Sequence, residues 1–145
     1  MIAIGSDHGG INLKNIIKDF LDKKGLSYKD FGTYSAESCD YPDFAKAVCT
    51  SVVSGESEKG ILVCGTGIGM SMAANKIKGI RAAHVTDTYS ARMTKEHNDA
   101  NVICLGERIT GCDLALEIVN AYLEASFQGG RHEGRVKKVM AFEEE

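Results

Sequence analysis

Apolar residues fall along the chain in two rhythms. Short continuous runs, "IAIGS" at 2–6, "GILVC" at 60–64 and "NVICLG" at 101–106, alternate with longer stretches where apolar side chains recur every three or four positions. The short runs predict buried parallel strands, and "LSYKDFG" at 26–32 and "IRAAHV" at 80–85 bring the predicted strands to five. Between them, Leu13, Ile16, Ile17, Phe20 and Leu21 predict a helix over 12–24, stopped by Gly25. Pro42 suits the first turn of a second helix, whose Phe44, Ala45, Val48 and Val52 share one face before Gly55 ends it. Further helices are predicted through "MSMAANK" at 70–76, near 87–96, and over 111–126, where Leu114, Ala115, Ile118, Val119 and Tyr122 line one side. "QGG" at 128–130 breaks the pattern before a last helix over 131–142.

Strands alternating with helices predict an α/β fold: one Rossmann-like domain over 1–145, a five-stranded parallel sheet with helices on both faces. Residues from about 136 to 145 are the end of the last helix and an acidic tail, "EEE", expected to be solvated and disordered. Ligands of such sheets bind beyond the C-terminal strand ends, where the strand order reverses. The expected order, 2-1-3-4-5, sets the ends of strands one and three side by side. Asp7-His8 and Cys64 stand at those ends.

Composition narrows the classes. With 43% apolar and 26% charged residues and a net charge of −3, the chain shows no electrostatic footprint for nucleic acid or an anionic membrane. Its apolar runs are too short to span a bilayer, and "MIAIGSDHGG" lacks the basic start and long apolar core of a signal peptide. Five cysteines, at 39, 49, 64, 104 and 112, form no C-x-x-C pair and no zinc-like spacing. Free thiols without an export signal lead to the expectation of a reducing cytoplasm.

The stretch "ILVCGTGIGMS" at 61–71 carries the most chemistry. It is not a dinucleotide fingerprint, which needs glycine where Met70 stands, and not a Walker loop, which needs G-x-x-x-x-G-K-[ST]. It is not a phosphatase-like C-x5-R loop either, since Met70 also takes the place of that arginine. Gly65, Gly67 and Gly69 allow backbone N–H groups to turn inward around an anion at a helix start, where a thiolate at Cys64 is also favoured. That is a base beside an oxyanion site. The alternative is a buried strand cysteine whose glycines serve close packing.

Other polar groups have two readings each. Asp7 and His8 in "SDHGG" are either a cap and a hydrogen-bonded histidine or part of a strand-end site. Glu96, His97, Asn98 and Asp99 before the fifth strand are either a turn or a source of an imidazole acid and an amide donor. Arg131 and Arg135, four apart in "GGRHEGRV", either clamp a phosphate or form a solvated basic face with Lys137 and Lys138. Arg108 is a third phosphate candidate, and His84 is expected to be a satisfied core histidine within strand four. No spacing specifies a metal site from Asp7, His8, His97 and Asp99, so none is expected.

With these segments in view, the chain resembles the family of type B ribose-5-phosphate isomerases, which also includes galactose-6-phosphate isomerase. The resemblance rests on "GSDHGG" at 5–10, "DYPDFA" at 40–45, "CGTGIGMSMAANK" at 64–76, "YSARMTKEHNDANV" at 89–102, "LGERITG" at 105–111 and "GGRHEGRV" at 129–136. It implies an aldose–ketose isomerase acting through an enediolate without metal or organic cofactor, as a homodimer, sometimes a tetramer, with each active site built from two chains. It implies Cys64 as the base between C2 and C1, with Thr66 lining the site and Gly65, Gly67, Ile68 and Gly69 in the loop that holds the enediolate oxygen. His97, aided by Asn98, would open the furanose ring; Asp7 and His8 would contact the sugar; Arg108, Arg131 and Arg135 would bind the phosphate.

The function so implied is interconversion of ribose 5-phosphate and ribulose 5-phosphate in the pentose phosphate pathway. Alternatives are an isomerase of a six-carbon sugar phosphate, such as allose or galactose 6-phosphate, and a non-catalytic sugar-phosphate-binding module.

Overall fold

The computed structural model describes residues 1–145. Five parallel strands, β1 (Ile2–Ser6), β2 (Tyr28–Asp30), β3 (Lys59–Cys64), β4 (Ala82–His84) and β5 (Val102–Gly106), form one sheet in the order β2-β1-β3-β5-β4. Six helices accompany them: α1 (Ile11–Lys23), α2 (Tyr41–Val53), α3 (Ile68–Ala74), α4 (Thr88–Glu96), α5 (Cys112–Glu124) and α6 (Arg131–Ala141). No helix is long and apolar enough to cross a membrane.

The expected strand order is corrected at its far end: β5, not β4, pairs with β3. Side-chain bulk explains the exchange. β5 carries Val102, Ile103, Cys104 and Leu105, all fully buried, and such continuous apolar runs belong between two helix layers. β4 offers only Ala82, Ala83 and His84 and is left at the edge, half-exposed. The neighbouring ends of β1 and β3 are as expected, with Ser6 opposite Val63.

Strand alternation divides the core into two layers. Ile4, Ile61, Val63, Ile103 and Leu105 face α1 and α5, meeting Leu13, Ile17, Ile118 and Tyr122. Ala3, Leu62, Cys64, Val102 and Cys104 face α2 and α3, meeting Val48, Cys49, Met70 and Ala74. α6 is different, for none of its residues is buried.

The acidic tail is also corrected. Phe142–Glu144 form a 3-10 turn, and the Glu143 carboxylate accepts the Gly79 N–H at 3.0 and 3.1 Å. Gly79 lies in a turn with no helix or strand partner for that N–H, so a carboxylate cap orders the tail.

Candidate active site

Two groups of polar side chains stand at opposite ends of the sheet. The first lies beyond the C-terminal ends of β1, β3 and β5. Asp7 caps the 3-10 turn His8–Gly10, its Oδ1 accepting the Gly9 N–H at 2.9 Å. His8 follows, and its Nδ1 accepts the Cys39 N–H at 3.2 Å, so the neutral ring carries its proton on Nε2. The Cys39 sulfur is 3.8 Å from the same nitrogen.

Cys64 ends β3 with only 5% of its surface exposed, and its sulfur accepts the Gly67 N–H at 3.1 Å. The sulfur thus lies at the start of α3, a helix of only seven residues, with a backbone N–H aimed at it. Two other cysteines lie deeper in the same core layer. Burial pushes the Cys49 thiol up to about 12, and burial, with smaller contributions from Cys49 and Cys64, also raises Cys104.

Loop geometry demands glycine at two positions. Gly67 has φ +82°, and a methyl group there would lie 2.8 Å from the His84 ring and 2.9 Å from the Leu105 backbone. A methyl group on Gly69 would lie 2.5 Å from the Tyr41 ring. Thr66 is exposed, and its Oγ1 accepts the Ile68 N–H at 3.2 Å. The Arg108 guanidinium lies over Gly65, and the Arg108 N–H donates to the Gly65 carbonyl at 3.0 Å. Glu107 beside it reaches α1, where its Oε1 accepts the Leu13 N–H at 2.7 Å.

The expected core position of His84 is corrected here. As the last residue of an edge strand it is exposed, and its ring leans on the loop at Gly67. Tyr41 and His84 are thus walls of the loop to which the sequence pattern assigned no role. Tyr41 stands within the "DYPDFA" segment, which was its only signal.

The second group gathers where α4 ends and α6 begins. His97 caps α4, Asn98 follows, and Arg131, His132 and Arg135 occupy the first two turns of α6. The rings of His97 and His132 stack at 4.1 Å between centroids, 11° from parallel. His97, Asn98, His132 and Arg135 line one cavity of about 730 Å3, with Arg81 and Met140 on its far wall. Partial desolvation, then the positive neighbours His97, Arg131 and Arg135, lower the His132 pKa.

Strand direction separates the two groups. Gly106, at the end of β5, is opposite Cys64, whereas His97 and Asn98 precede the beginning of the same strand. β5 alone spans roughly 13 Å. Asp7, His8, Cys64, the 65–69 loop and Arg108 therefore come together, and His97, Asn98, Arg131 and Arg135 come together elsewhere. Asp99 belongs to the second end, bound to Lys95 at 2.5 Å and Arg81 at 3.4 Å. Asp7, His8, His97 and Asp99 do not converge.

Known proteins share the fold and much of the sequence. The Ribose/Galactose Isomerase family model matches residues 2–139. Ribose-5-phosphate isomerase B of Escherichia coli is 47% identical over 99% of this chain and 96% of its own length. D-erythrulose-4-phosphate isomerase of Pectobacterium atrosepticum is 46% identical over 98% of this chain and 94% of its own. The structure of ribose-5-phosphate isomerase B from Clostridium thermocellum superposes with a TM-score of 0.97 at 59% identity, covering 99% of this chain and 97% of that one. The Mycoplasma genitalium ribose-5-phosphate isomerase B, solved with ribulose 5-phosphate bound, gives 0.95 at 42%, covering 99% and 96%. A family match spanning nearly every element, and full-length relatives up to 59% identical, show that this chain belongs to the Ribose/Galactose Isomerase family.

Proposed function

We propose that the chain interconverts ribose 5-phosphate and ribulose 5-phosphate by proton transfer at Cys64. The observation that carries the reading is the Cys64 sulfur at the end of β3, holding the Gly67 N–H at 3.1 Å inside a glycine-rich loop. The Escherichia coli and Clostridium thermocellum relatives bear this activity in their names, and the Mycoplasma genitalium relative holds ribulose 5-phosphate.

In the open aldose, the C2 hydrogen is acidic because the neighbouring carbonyl accepts charge. The Cys64 thiolate takes that proton, the C–H pair becomes the C1–C2 double bond, and the carbonyl pair moves onto O1. Return of the proton from sulfur to C1, with a hydroxyl proton passing from O2 to O1, completes the ketose. Donors aimed at the developing oxyanion are the largest single contribution to such catalysis. Gly67 N–H is committed to the sulfur and Ile68 N–H to Thr66. The Gly69 N–H, in the first turn of α3 and beyond the reach of any intrahelical acceptor, serves the oxyanion together with Gly65 and Thr66. Asp7 and the Nε2–H of His8 hold the sugar, and Arg108 holds the phosphate.

His97 and Asn98 open the furanose, and Arg131 and Arg135 complete the phosphate grip, from a second copy of the chain. Support for a homodimer comes from the opposed positions of the two groups and from Ile68, Met72, Tyr89 and Ile109, large apolar side chains exposed around the Cys64 end. Residues 1–145 act as one unit in this reading, and five unpaired cysteines support a cytoplasmic setting.

The test is a coupled assay of ribose 5-phosphate against wild type and Cys64→Ala. Turnover by wild type, and a loss of at least about a hundredfold in the variant with substrate binding retained, is the expected result. Near-wild-type turnover by Cys64→Ala rules out the sulfur as base. Sugar length is a second question, because the Pectobacterium relative is named for a four-carbon substrate. A four- or six-carbon sugar phosphate preferred by more than about tenfold in kcat/KM, or 1.4 kcal/mol, replaces the five-carbon assignment.

A further inference from the structure

His132 belongs to neither the loop chemistry nor the phosphate arginines, yet it makes the closest ring contact in the second group. Its imidazole covers the His97 ring nearly face to face, 4.1 Å away and 11° from parallel. We propose that His132 is a positioning residue for His97, fixing the plane of the ring that opens the sugar and remaining uncharged so that the pair's single proton resides on His97. This rests on the ring-opening role of His97 proposed above.

The geometry provides the first half. His97 stands at the C-terminal cap of α4, where its backbone N–H donates to Met93 at 2.8 Å but no hydrogen bond fixes its ring. A cap residue with a free side chain has several rotamers, and a stacked flat face removes most of them. α6 is itself held beside α4 by Gln128, whose backbone N–H donates to Glu96 O and whose side-chain N–H donates to Glu96 Oε2, both at 3.0 Å.

The surrounding charges provide the second half. On α6, Arg131 and Arg135 flank His132. At the end of α4, Glu96 is occupied by Gln128 and Lys95 by Asp99. At the start of β4, Arg81 is bound to Asp99, and in the tail Glu143 is bound to Gly79 N–H. No unpaired carboxylate thus faces the stack, while two arginines do, and two imidazolium ions in face contact there repel each other. The lowered pKa of His132 agrees, its causes being desolvation first and then His97, Arg131 and Arg135. Arg131 and Arg135 share α6 with His132, so a positive charge on that ring is the one most opposed by its own helix.

Ring opening has a readout separate from isomerisation: exchange between the two anomers of ribose 5-phosphate, measured by NMR saturation transfer. In a Cys64→Ala background, no proton transfer at carbon competes with it. The Cys64→Ala chain is expected to accelerate anomer exchange, and adding His132→Ala is expected to reduce that acceleration by about tenfold or more. His132→Phe, which keeps a flat face without a titrating nitrogen, is expected to retain it. In the same samples, the ring C–H signals of His97 should titrate in one simple step in His132→Phe and in a shallower, coupled curve in the histidine pair. Anomer exchange unchanged by His132→Ala, or a His97 titration that His132→Phe leaves unaltered, overturns the proposal. No acceleration by Cys64→Ala alone would instead overturn the ring-opening reading beneath it.

Discussion

The ammonium of Lys14, with 1% of its side chain exposed, lies 2.8 Å from the carboxylate of Asp30. The same ammonium donates to the Thr33 carbonyl, and Lys18 takes the other oxygen of Asp30 at 2.8 Å. Gly32 N–H adds a third donor to Asp30 at 2.9 Å. These contacts tie the end of β2 and the segment after it to α1.

Acid should loosen this knot. Burial alone would raise the Asp30 pKa, but hydrogen bonds from Lys14, Lys18 and Gly32 outweigh it and hold the group below its usual 3.8. A depressed folded pKa contributes stability that is present above the unfolded value and lost as pH falls through the folded one. Urea unfolding should therefore show Asp30 stabilising the fold at pH 5 to 7, with its share disappearing below about pH 3.8. In Asp30→Asn that part of the acid dependence should be missing. Lys14→Met should cost about 3 kcal/mol at neutral pH, because Asp30 then keeps only Lys18 and the Gly32 amide.

Complementation checks the two-chain site. A Cys64→Ala chain still supplies His97, and a His97→Asn chain still supplies Cys64. Each is expected to be inactive or nearly so alone on ribose 5-phosphate. Mixed and allowed to exchange subunits, they should recover up to about a quarter of wild-type activity, since half the dimers are mixed and each has one intact site. A mixture no better than its parts would return both residues to one chain.

Phosphate recognition is expected to separate from proton transfer. Arg135→Ala should raise KM for phosphorylated substrate about tenfold or more, with a smaller effect on kcat, the pattern of a lost charge-assisted contact. An unchanged KM would make that face of α6 a solvated one.

Much of this was legible in the chain, for physical reasons that can be named. Central strands announce themselves by unbroken apolar runs, and β1, β3 and β5 each did so. The exchange of β4 and β5 turned on bulk, Ala-Ala-His against Val-Ile-Cys-Leu, and periodicity carries no information on that. Cys64 and its glycines were readable because a positive φ at Gly67 and a close contact with Tyr41 at Gly69 leave only one residue type at each. Separation of His97 from Cys64 follows from strand direction, since one precedes its strand and the other ends one. Side-chain contacts across long sequence distances were not legible. Glu107 capping α1 at Leu13 joins residues 94 positions apart, and no local pattern marks it. The tail read as disordered from charge alone, because its acceptor role needs Gly79 brought to it by the fold.

α6 carries Arg131, His132 and Arg135, yet buries none of its residues and is tied down by Gln128 on Glu96, Arg81 on Met140 and Glu143 on Gly79. Few apolar contacts mean a low local opening free energy, so in a lone chain this helix frays long before the sheet does. The cysteine loop, by contrast, is wedged between buried strands and stays formed. A solitary chain would thus keep the Cys64 loop formed while α6 opens. Protease nicking of a lone chain would begin at α6, the helix that carries Arg131 and Arg135.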